Sequence, residues 1–561
     1  MTAAASSEYA IALLAEFVRA GVRDVVVCPG SRSQALALAA AQLERAGHLR
    51  LHVRIDERSA GFLALGLAVE SRTPVAIVTT SGTAVANLHP AVLEASHSGV
   101  PLLLLTADRP EELRGIGANQ ATIQHGVFGT AVRRAWDVPP ADSAAEVASA
   151  AELAREALAA SQERGGGPVQ LNLAFREPLS GDGTLPLLDR GTWTPAGPGP
   201  ETVQLRPGPG VVVVAGSGAG ERAEEVAREL GAPLLAEVAS GARFGPNLVA
   251  AYRELLDTGN FGDRVERVIV FGHPTLSREV PALVQRPGVE TLVVRTPGRD
   301  DYNPGRVVQR FADAVTVVPD EAALARSRSW VGRWVTASRR ILDEAAARAG
   351  DDPMGSVLTD DAVARARWAR DQVAQLREPV TRRLLVRAVW DASWPHDRLV
   401  LGASRLIREL DRMAPGKRIH VHANRGLGGI DGTIATASGI ALAASGSSGG
   451  DTGTTRVLIG DLTLLHDAGS LLGSGAAETD RGRLQVIVGD DHGGSIFDTL
   501  EVASADPELY ARVMRTPQTV DVEALARAYG WEFRRVERRG DLTPALTDTG
   551  AARTLIHVPL V

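Results

Sequence analysis

Asp461 and Asp491 lie thirty residues apart, each beside glycine and each just past a strand-forming run. Gly460-Asp461-Leu462 follows Arg456-Val457-Leu458-Ile459, and Asp491-His492-Gly493-Gly494 follows Leu484-Gln485-Val486-Ile487-Val488. In an open α/β sheet the rim at the strands' carboxyl ends is where ligands bind. Two carboxylates and a free backbone carbonyl suit a hard cation such as Mg²⁺, which wants octahedral oxygen ligands and takes phosphate as a partner; Mn²⁺ fits the same donors. Ordinary strand-to-helix turns also favour Asp and Gly, and the two segments alone fit that reading as well. A third carboxylate, Glu57, follows the strand-like Leu51–Ile55 and precedes the small-residue helix Ala60–Ala68. The helix dipole favours an acid there, and a carboxylate so placed is also suited to general acid–base work.

Short β-branched runs alternate with Ala/Leu/Arg/Glu-rich helical stretches along the chain, the pattern of βαβ units on parallel sheets. They fall into three groups: Asp24–Val27, Leu51–Ile55, Val75–Thr79, Pro101–Thr106 and Val169–Phe175; then Gly210–Ala215, Pro233–Val238, Val265–Phe271, Thr291–Arg295 and Ala314–Val318; then Leu399–Gly402, Arg418–Ala423, Arg456–Gly460, Leu484–Gly489 and Thr554–Val558. The expected fold class is α/β, with three doubly wound domains of mainly parallel sheets over residues 1–180, 205–345 and 376–561. Pro178–Gly210 is rich in Gly, Pro and Thr and reads as an extended linker. The helical stretch Ala322–Arg348 and the polar turn Gly350–Asp352 mark the second junction.

With 561 residues the chain exceeds a single core. A net charge of −7 gives no nucleic-acid or membrane footprint. Nearly all of its 60 basic residues are Arg, Lys417 being the one lysine. Cys28 is alone, which excludes an internal disulfide and suits a reducing compartment. Met1–Tyr9 lacks a signal-peptide pattern, and apolar runs such as Val100–Thr106 are too short to cross a bilayer. A cytoplasmic location is expected.

The Gly-Asp segment and its later Asp partner resemble the diphosphate-anchoring motif of thiamine-diphosphate enzymes. Further segments narrow the resemblance. Pro29-Gly30-Ser31-Arg32-Ser33, Ile55-Asp56-Glu57-Arg58-Ser59-Ala60, Thr79-Thr80-Ser81-Gly82-Thr83-Ala84, Thr106-Ala107-Asp108-Arg109-Pro110 and Gly117-Ala118-Asn119-Gln120 occur in order. Gly402-Ala403-Ser404 with Arg408, Asn424-Arg425-Gly426 and Gly429-Ile430-Asp431-Gly432 follow. This series is similar to the MenD family, the 2-succinyl-5-enolpyruvyl-6-hydroxy-3-cyclohexene-1-carboxylate synthases of menaquinone biosynthesis. The likeness is close in the first and third domains and only in layout in the second.

The resemblance implies a thiamine-diphosphate-binding fold and a transferase. It would decarboxylate 2-oxoglutarate and add the succinic-semialdehyde carbanion equivalent to isochorismate, in a homodimer or homotetramer with active sites between subunits. Asp461, Asp491 and the Gly493 carbonyl would hold Mg²⁺. Ser81, Gly82, Gly460, Leu462, Gly494 and Ile496 would line the cofactor, with Ile430 supporting its bent form. Glu57 would hydrogen-bond N1′ of the aminopyrimidine. Both substrates are dicarboxylates, and arginine offers a bidentate fork that stays charged. Arg32, Arg109, Arg408 and Arg425 would be those forks, with Ser31, Gln120 and Ser404 as neutral donors. Where many members carry Asn, this chain has Asp490-Asp491-His492; Asp491 can still ligate a metal, and His492 reads as a supporting or loop residue.

Two further segments are ambiguous. Gly216-Ser217-Gly218-Ala219-Gly220 lacks the dinucleotide spacing and reads as a tight βα turn. Arg295 and Arg299 face a site or solvent. The residues also fit another thiamine-diphosphate 2-oxoacid decarboxylase or an acetolactate-synthase-like carboligase, which aldehyde formation without an acceptor would reveal. A non-catalytic ligand-binding relative is the reading from a different class; intact Glu57 and Asp461 weigh against it.

Overall fold

The computed structural model describes residues 5–181, 183–195, 199, 201–298, 300–348, 362–445, 453–473, 482–548 and 550–561. The turn Gly350–Asp352 lies outside these residues. Three parallel sheets follow one another. The N-terminal sheet contains β1 (Asp24–Val27), β2 (Arg50–Val53), β3 (Val75–Thr79), β4 (Leu102–Asp108), β5 (Ala135–Val138) and β6 (Val169–Ala174), in the order β2-β1-β3-β4-β6-β5. β3, β4 and β6 are buried throughout, as expected for strands covered by helices on both faces.

The central region holds β7 (Thr202–Leu205), β8 (Val211–Ala215), β9 (Leu234–Ala236), β10 (Arg267–Phe271), β11 (Glu290–Val294), β12 (Arg310–Ala312) and β13 (Ala314–Val317). Five of them form the sheet β12-β11-β10-β8-β9, and β7 pairs with β13. This corrects the expected linker: Thr202–Leu205 inside it is a strand, with Val203 and Leu205 buried and Thr202 and Gln204 exposed. Its partner is more than a hundred residues away, so no local pattern announces it. The helix Glu321–Arg348 sends Trp330 and Trp334 into the central core.

The C-terminal sheet holds β14 (Arg398–Leu401), β15 (His420–His422), β16 (Thr454–Gly460), β17 (Arg483–Asp490), β18 (Glu532–Arg535) and β19 (Arg553–Pro559). Its order, β15-β14-β16-β17-β19-β18, repeats that of the N-terminal sheet. β5 and β18, both absent from the sequence reading, are short, half-exposed edge strands in equivalent places; they bury too little apolar surface to stand out.

The N-terminal and C-terminal sheets are joined by two crossing helices, Glu57–Ser71 and Thr433–Ser445. Glycine lets their backbones touch: a Cβ on Gly66 would lie 2.0 Å from the Thr436 carbonyl oxygen, and one on Gly439 would lie 2.2 Å from that of Leu63. Glu70 on the first helix pairs with Arg398 (2.7 Å) and His422 (3.1 Å). Burial works against the Glu70 carboxylate, yet His422 and Arg398 hold it down to about 2. An acid with a depressed pKa contributes stability that is present above its ordinary value and lost as pH falls through the folded one. The melting-temperature difference between wild type and Glu70→Gln is therefore expected to shrink as pH falls from 4.5 toward 2. A pH-independent difference would show that this pair does not contribute.

The central region is tied to the C-terminal sheet by a buried charge cluster. Asp411, on the helix Arg405–Met413, accepts hydrogen bonds from Val238 N (2.7 Å), the Tyr252 hydroxyl (2.8 Å) and Arg253 (2.5 Å). Arg243 donates to the Asp411 and Ala414 carbonyls, both at 2.8 Å. Asp411 serves as counter-ion to both buried arginines, at 3.7 Å from Arg243 and 2.5 Å from Arg253, and main-chain carbonyls take the remaining donors of Arg243.

Candidate active site

In both six-stranded sheets the strand order reverses beside the first strand, at β1/β3 and at β14/β16, and such switch points open a crevice at the carboxyl ends. The candidate residues gather there. Ser31 and Arg32 follow β1, Ser81 and Gly82 follow β3, Ser404 and Arg408 follow β14, and Gly460-Asp461-Leu462 ends β16. The loops after β1 and β3 are pressed together: a Cβ on Gly30 would lie 2.2 Å from Thr80 Cβ.

Glu57 opens the helix Glu57–Ser71, one residue after the N-cap Asp56, whose side chain accepts from Arg58 N at 2.9 Å. Its negative charge reaches the end of β1, where burial first and then Glu57 push the Cys28 thiol up. Arg58 donates to the His466 carbonyl (3.1 Å), and the Ser59 and Ser470 hydroxyls share a 2.9 Å hydrogen bond. The start of this helix therefore touches the segment just beyond Asp461.

Around Ser81 the structure builds a polar knot. Arg109 donates to Ser81 Oγ (2.6 Å) and to the Gln120 carbonyl (2.7 Å), while Gln120 Nε2 donates to the Ser81 carbonyl (2.9 Å). Gln124 Oε1 accepts from Gly82 N at 2.8 Å. Gly82 holds φ +84°, a conformation that favours glycine. Burial and the nearby charge of Arg32 both disfavour the charge on Arg109. Arg32 itself donates to the Phe175 carbonyl (3.2 Å), and Ser31 is exposed.

On the C-terminal sheet, Asp461 starts the helix Asp461–His466 and its Oδ2 accepts from Gly493 N at 2.8 Å. Burial, then the negative charges of Asp490 and Asp491, push its carboxyl above the usual range. Asp490 is held below that range, chiefly by a 2.9 Å hydrogen bond to His557. Asp491 Oδ2 pairs with Arg382 at 2.8 Å and accepts from the Ser495 hydroxyl, and Arg515 donates to the Asp491 carbonyl at 2.7 Å. Gly493 has φ +113°, and a Cβ there would lie 2.1 Å from the Arg515 carbonyl oxygen, so the turn admits only glycine. Asp461, Asp491 and the Gly493 carbonyl are hard oxygen donors of the kind a divalent cation takes, although the described residues hold no group of three His, Cys, Asp or Glu side chains placed to bind one. His492 points to solvent with φ +59°. Gly494 and Ile496 lie in the turn and 3₁₀ helix that follow.

Ser404 is the N-cap of the helix Arg405–Met413, its hydroxyl accepting from Leu406 N at 3.2 Å. Arg408, in the first turn of that helix, lies close to its cap and donates to the Ser404 carbonyl (3.0 Å). Burial, then Arg425, makes charge on Arg408 costly. Arg425 is 9 % exposed. Ile430 precedes the helix Thr433–Ser445, whose first N–H groups, of Ile434 and Ala435, are capped by Asp467 at 2.8 and 3.2 Å. Asp467, Arg382, Ser495 and Arg515 were not singled out in the sequence, because their partners come from other elements and no spacing signals them.

The two ambiguous segments belong to the central region. Gly216–Gly220 is a βα turn, with Gly216 N donating to the Phe271 carbonyl at 2.8 Å. It borders a cleft of about 1050 Å³ that Arg425, His273, Tyr302 and His420 also line. Arg295 pairs with Glu201 and Asp313, both at 3.2 Å, in the open. Arg299 lies outside the described residues.

Comparison with known proteins agrees with this geometry. Residues 8–128 match the family described as thiamine pyrophosphate enzyme, N-terminal TPP binding domain. The solved structure of benzoylformate decarboxylase from Polynucleobacter necessarius superposes with TM-score 0.65 at 16 % identity, covering 100 % of this chain and 99 % of that one. At that identity it speaks for the fold alone. A protein of Leifsonia xyli subsp. xyli named 2-succinyl-5-enolpyruvyl-6-hydroxy-3-cyclohexene-1-carboxylate synthase is 56 % identical, covering 99 % of this chain and 96 % of its own. One of the same name from Clavibacter michiganensis subsp. michiganensis is also 56 % identical with the same coverage. A third, from Arthrobacter sp., is 42 % identical over 96 % of this chain and 86 % of its own. Likeness of that extent, on a thiamine-diphosphate-enzyme fold with acids and arginines at both switch points, means that the chain belongs to the 2-succinyl-5-enolpyruvyl-6-hydroxy-3-cyclohexene-1-carboxylate synthase family.

Proposed function

We propose that this protein decarboxylates 2-oxoglutarate and adds the remaining four-carbon unit to the ring alkene of isochorismate, giving 2-succinyl-5-enolpyruvyl-6-hydroxy-3-cyclohexene-1-carboxylate and CO₂. The observation that carries this is 56 % identity across 99 % of the chain to a synthase of that name. Thiamine diphosphate, when bound, supplies the nucleophilic carbon and the electron sink for decarboxylation. Asp461, Asp491 and the Gly493 carbonyl would hold Mg²⁺, or Mn²⁺, against its diphosphate. Taking up the metal requires Asp491 to share its carboxylate with Arg382. Gly460, Leu462, Gly494 and Ile496 would line that end and Ser81 and Gly82 the other, with Ile430 as apolar support. Glu57, the first residue of its helix, would share a proton with the aminopyrimidine N1′.

Arg32, Arg109, Arg408 and Arg425, with Ser31, Gln120 and Ser404, receive the substrate carboxylates. Burial makes charge on Arg109, Arg408 and Arg425 costly, and an anion relieves that cost. The labour divides among domains at 1–180, 205–345 and 376–561. Ile55, Ile123 and Leu427 are 75 %, 87 % and 56 % exposed beside the two rims. Such apolar surface supports a homodimer or homotetramer with sites between subunits. No helix among the described residues is long and apolar enough to cross a membrane; a cytoplasmic location is part of the same proposal, which the lone Cys28 suits.

The test is incubation with both substrates, with and without thiamine diphosphate and Mg²⁺, following CO₂ and product mass. Aldehyde without coupled product would favour a simple decarboxylase. The arginines are expected to divide between the half-reactions, Arg32, Arg109 and Arg408 serving isochorismate and Arg425 the 2-oxoglutarate carboxylate. Loss of a charged partner from a desolvated carboxylate costs about 2–5 kcal/mol. Arg408→Ala should decarboxylate 2-oxoglutarate almost normally in a single turnover yet fail to use isochorismate. Loss of the decarboxylation step in that variant would refute this division of the pocket.

A further inference from the structure

Arg425 is gripped from two sides by elements outside its own sheet. Its Nε donates to Thr275 Oγ1 at 2.9 Å, and its Nη2 donates to the Thr275 carbonyl at 3.3 Å. Thr275 is held in turn by Glu237, the residue after β9, whose Oε1 accepts the N–H groups of Thr275 (2.8 Å) and Leu276 (2.6 Å). From the N-terminal sheet, Glu94 accepts from Gly426 N (2.6 Å) and Leu427 N (2.8 Å), fixing the main chain just past Arg425. Among the described residues Nη1 of Arg425 has no hydrogen-bond partner, although the residue is only 9 % exposed.

We infer that Thr275 and Glu237, both from the central region, are positioning residues that lock one edge of the Arg425 guanidinium so that its remaining edge is aimed at a substrate carboxylate. The inference rests on the reading above that Arg425 receives the 2-oxoglutarate carboxylate. A guanidinium is planar and its donors form a rigid fork, so fixing Nε and Nη2 sets the direction of Nη1. A fork already oriented loses less freedom when the anion arrives. Glu237 is suited to hold Thr275 without cancelling the charge of Arg425. Its carboxyl is buried, and burial, then the charge of Asp411, pushes it well above the usual carboxylate range, which disfavours a full negative charge beside Arg425. The central region, which holds none of the residues expected to bind the cofactor, thereby gains a part in substrate recognition.

The experiment measures kcat and KM for each substrate, and thiamine-diphosphate affinity by calorimetry, in Thr275→Val, Thr275→Ser, Glu237→Ala, Arg425→Ala and the double variant Thr275→Val/Arg425→Ala. Thr275→Val keeps the shape but removes the acceptor, and should raise KM for 2-oxoglutarate about tenfold with kcat and cofactor affinity little changed. Thr275→Ser, which retains the hydroxyl, should restore KM. Glu237→Ala should reproduce the KM effect. The double variant should match Arg425→Ala alone, because Thr275 acts only through Arg425. A normal KM in Thr275→Val beside a raised one in Arg425→Ala would overturn the positioning role and leave the substrate role of Arg425 standing. Additive effects in the double variant would overturn it equally. An unchanged KM in Arg425→Ala would overturn the substrate reading and this inference with it. Should Glu237→Ala fail to fold, the Thr275 series decides by itself.

Discussion

Asp461→Ala is expected to abolish binding of thiamine diphosphate and Mg²⁺, lowering cofactor affinity by about two orders of magnitude or more, rather than merely slowing turnover. Two things are lost together. One is an oxygen ligand to an ion that tolerates little departure from octahedral geometry, where disturbing even a supporting partner commonly costs about 10–100-fold. The other is the acceptor for Gly493 N, 2.8 Å away, which fixes the turn that carries the Gly493 carbonyl proposed as a further ligand. Asp461→Asn separates them, since it keeps an acceptor for Gly493 but lacks the charge. The apo fold should survive, because burial and the repulsion from Asp490 and Asp491 already disfavour the charged carboxylate. Calorimetric titration, with thermal melts of the apo protein, is the measurement. Unchanged affinity in Asp461→Ala would remove this residue from the metal site.

Glu57→Gln is expected to keep the fold and most of the cofactor affinity while losing about 10²- to 10⁴-fold in turnover, the usual scale of general acid–base contributions. Gln is nearly isosteric but has no acidic proton to share with N1′. The helix itself should persist, because Asp56 supplies its N-cap and losing one acid from the first turn costs only about 0.3–1 kcal/mol. Following deuterium exchange of the C2 proton on the bound cofactor isolates this role from product release. Exchange at the wild-type rate in the variant would refute the assignment.

The Arg408→Ala and Thr275→Val experiments complement these two. The first asks which substrate each cation holds, and the second asks what holds the cation. Read together they separate binding from aim, a distinction that the positions of the arginines along the chain cannot express.

Features that depend on near neighbours were legible along the chain. β3, β4, β8 and β16 were legible because strands buried on both faces must be continuously apolar. Gly460-Asp461-Leu462 and the Ser81-Gly82 turn stood out because each lies a short step past such a strand, and Glu57 because it lies between the edge strand Arg50–Val53 and a helix start. The motif series identified the family for the same reason. Tertiary structure decided whatever depends on a partner far along the chain. Thr202–Leu205 became a strand only because Ala314–Val317 offered it a ladder. The short, half-exposed edges Ala135–Val138 and Glu532–Arg535 needed a formed sheet to pair with. Asp491 met Arg382 from a helix more than a hundred residues earlier, and Arg425 met Thr275 from the central region. Composition cannot foretell such pairs, because a buried charge is neutralised by whichever group the completed packing brings to it.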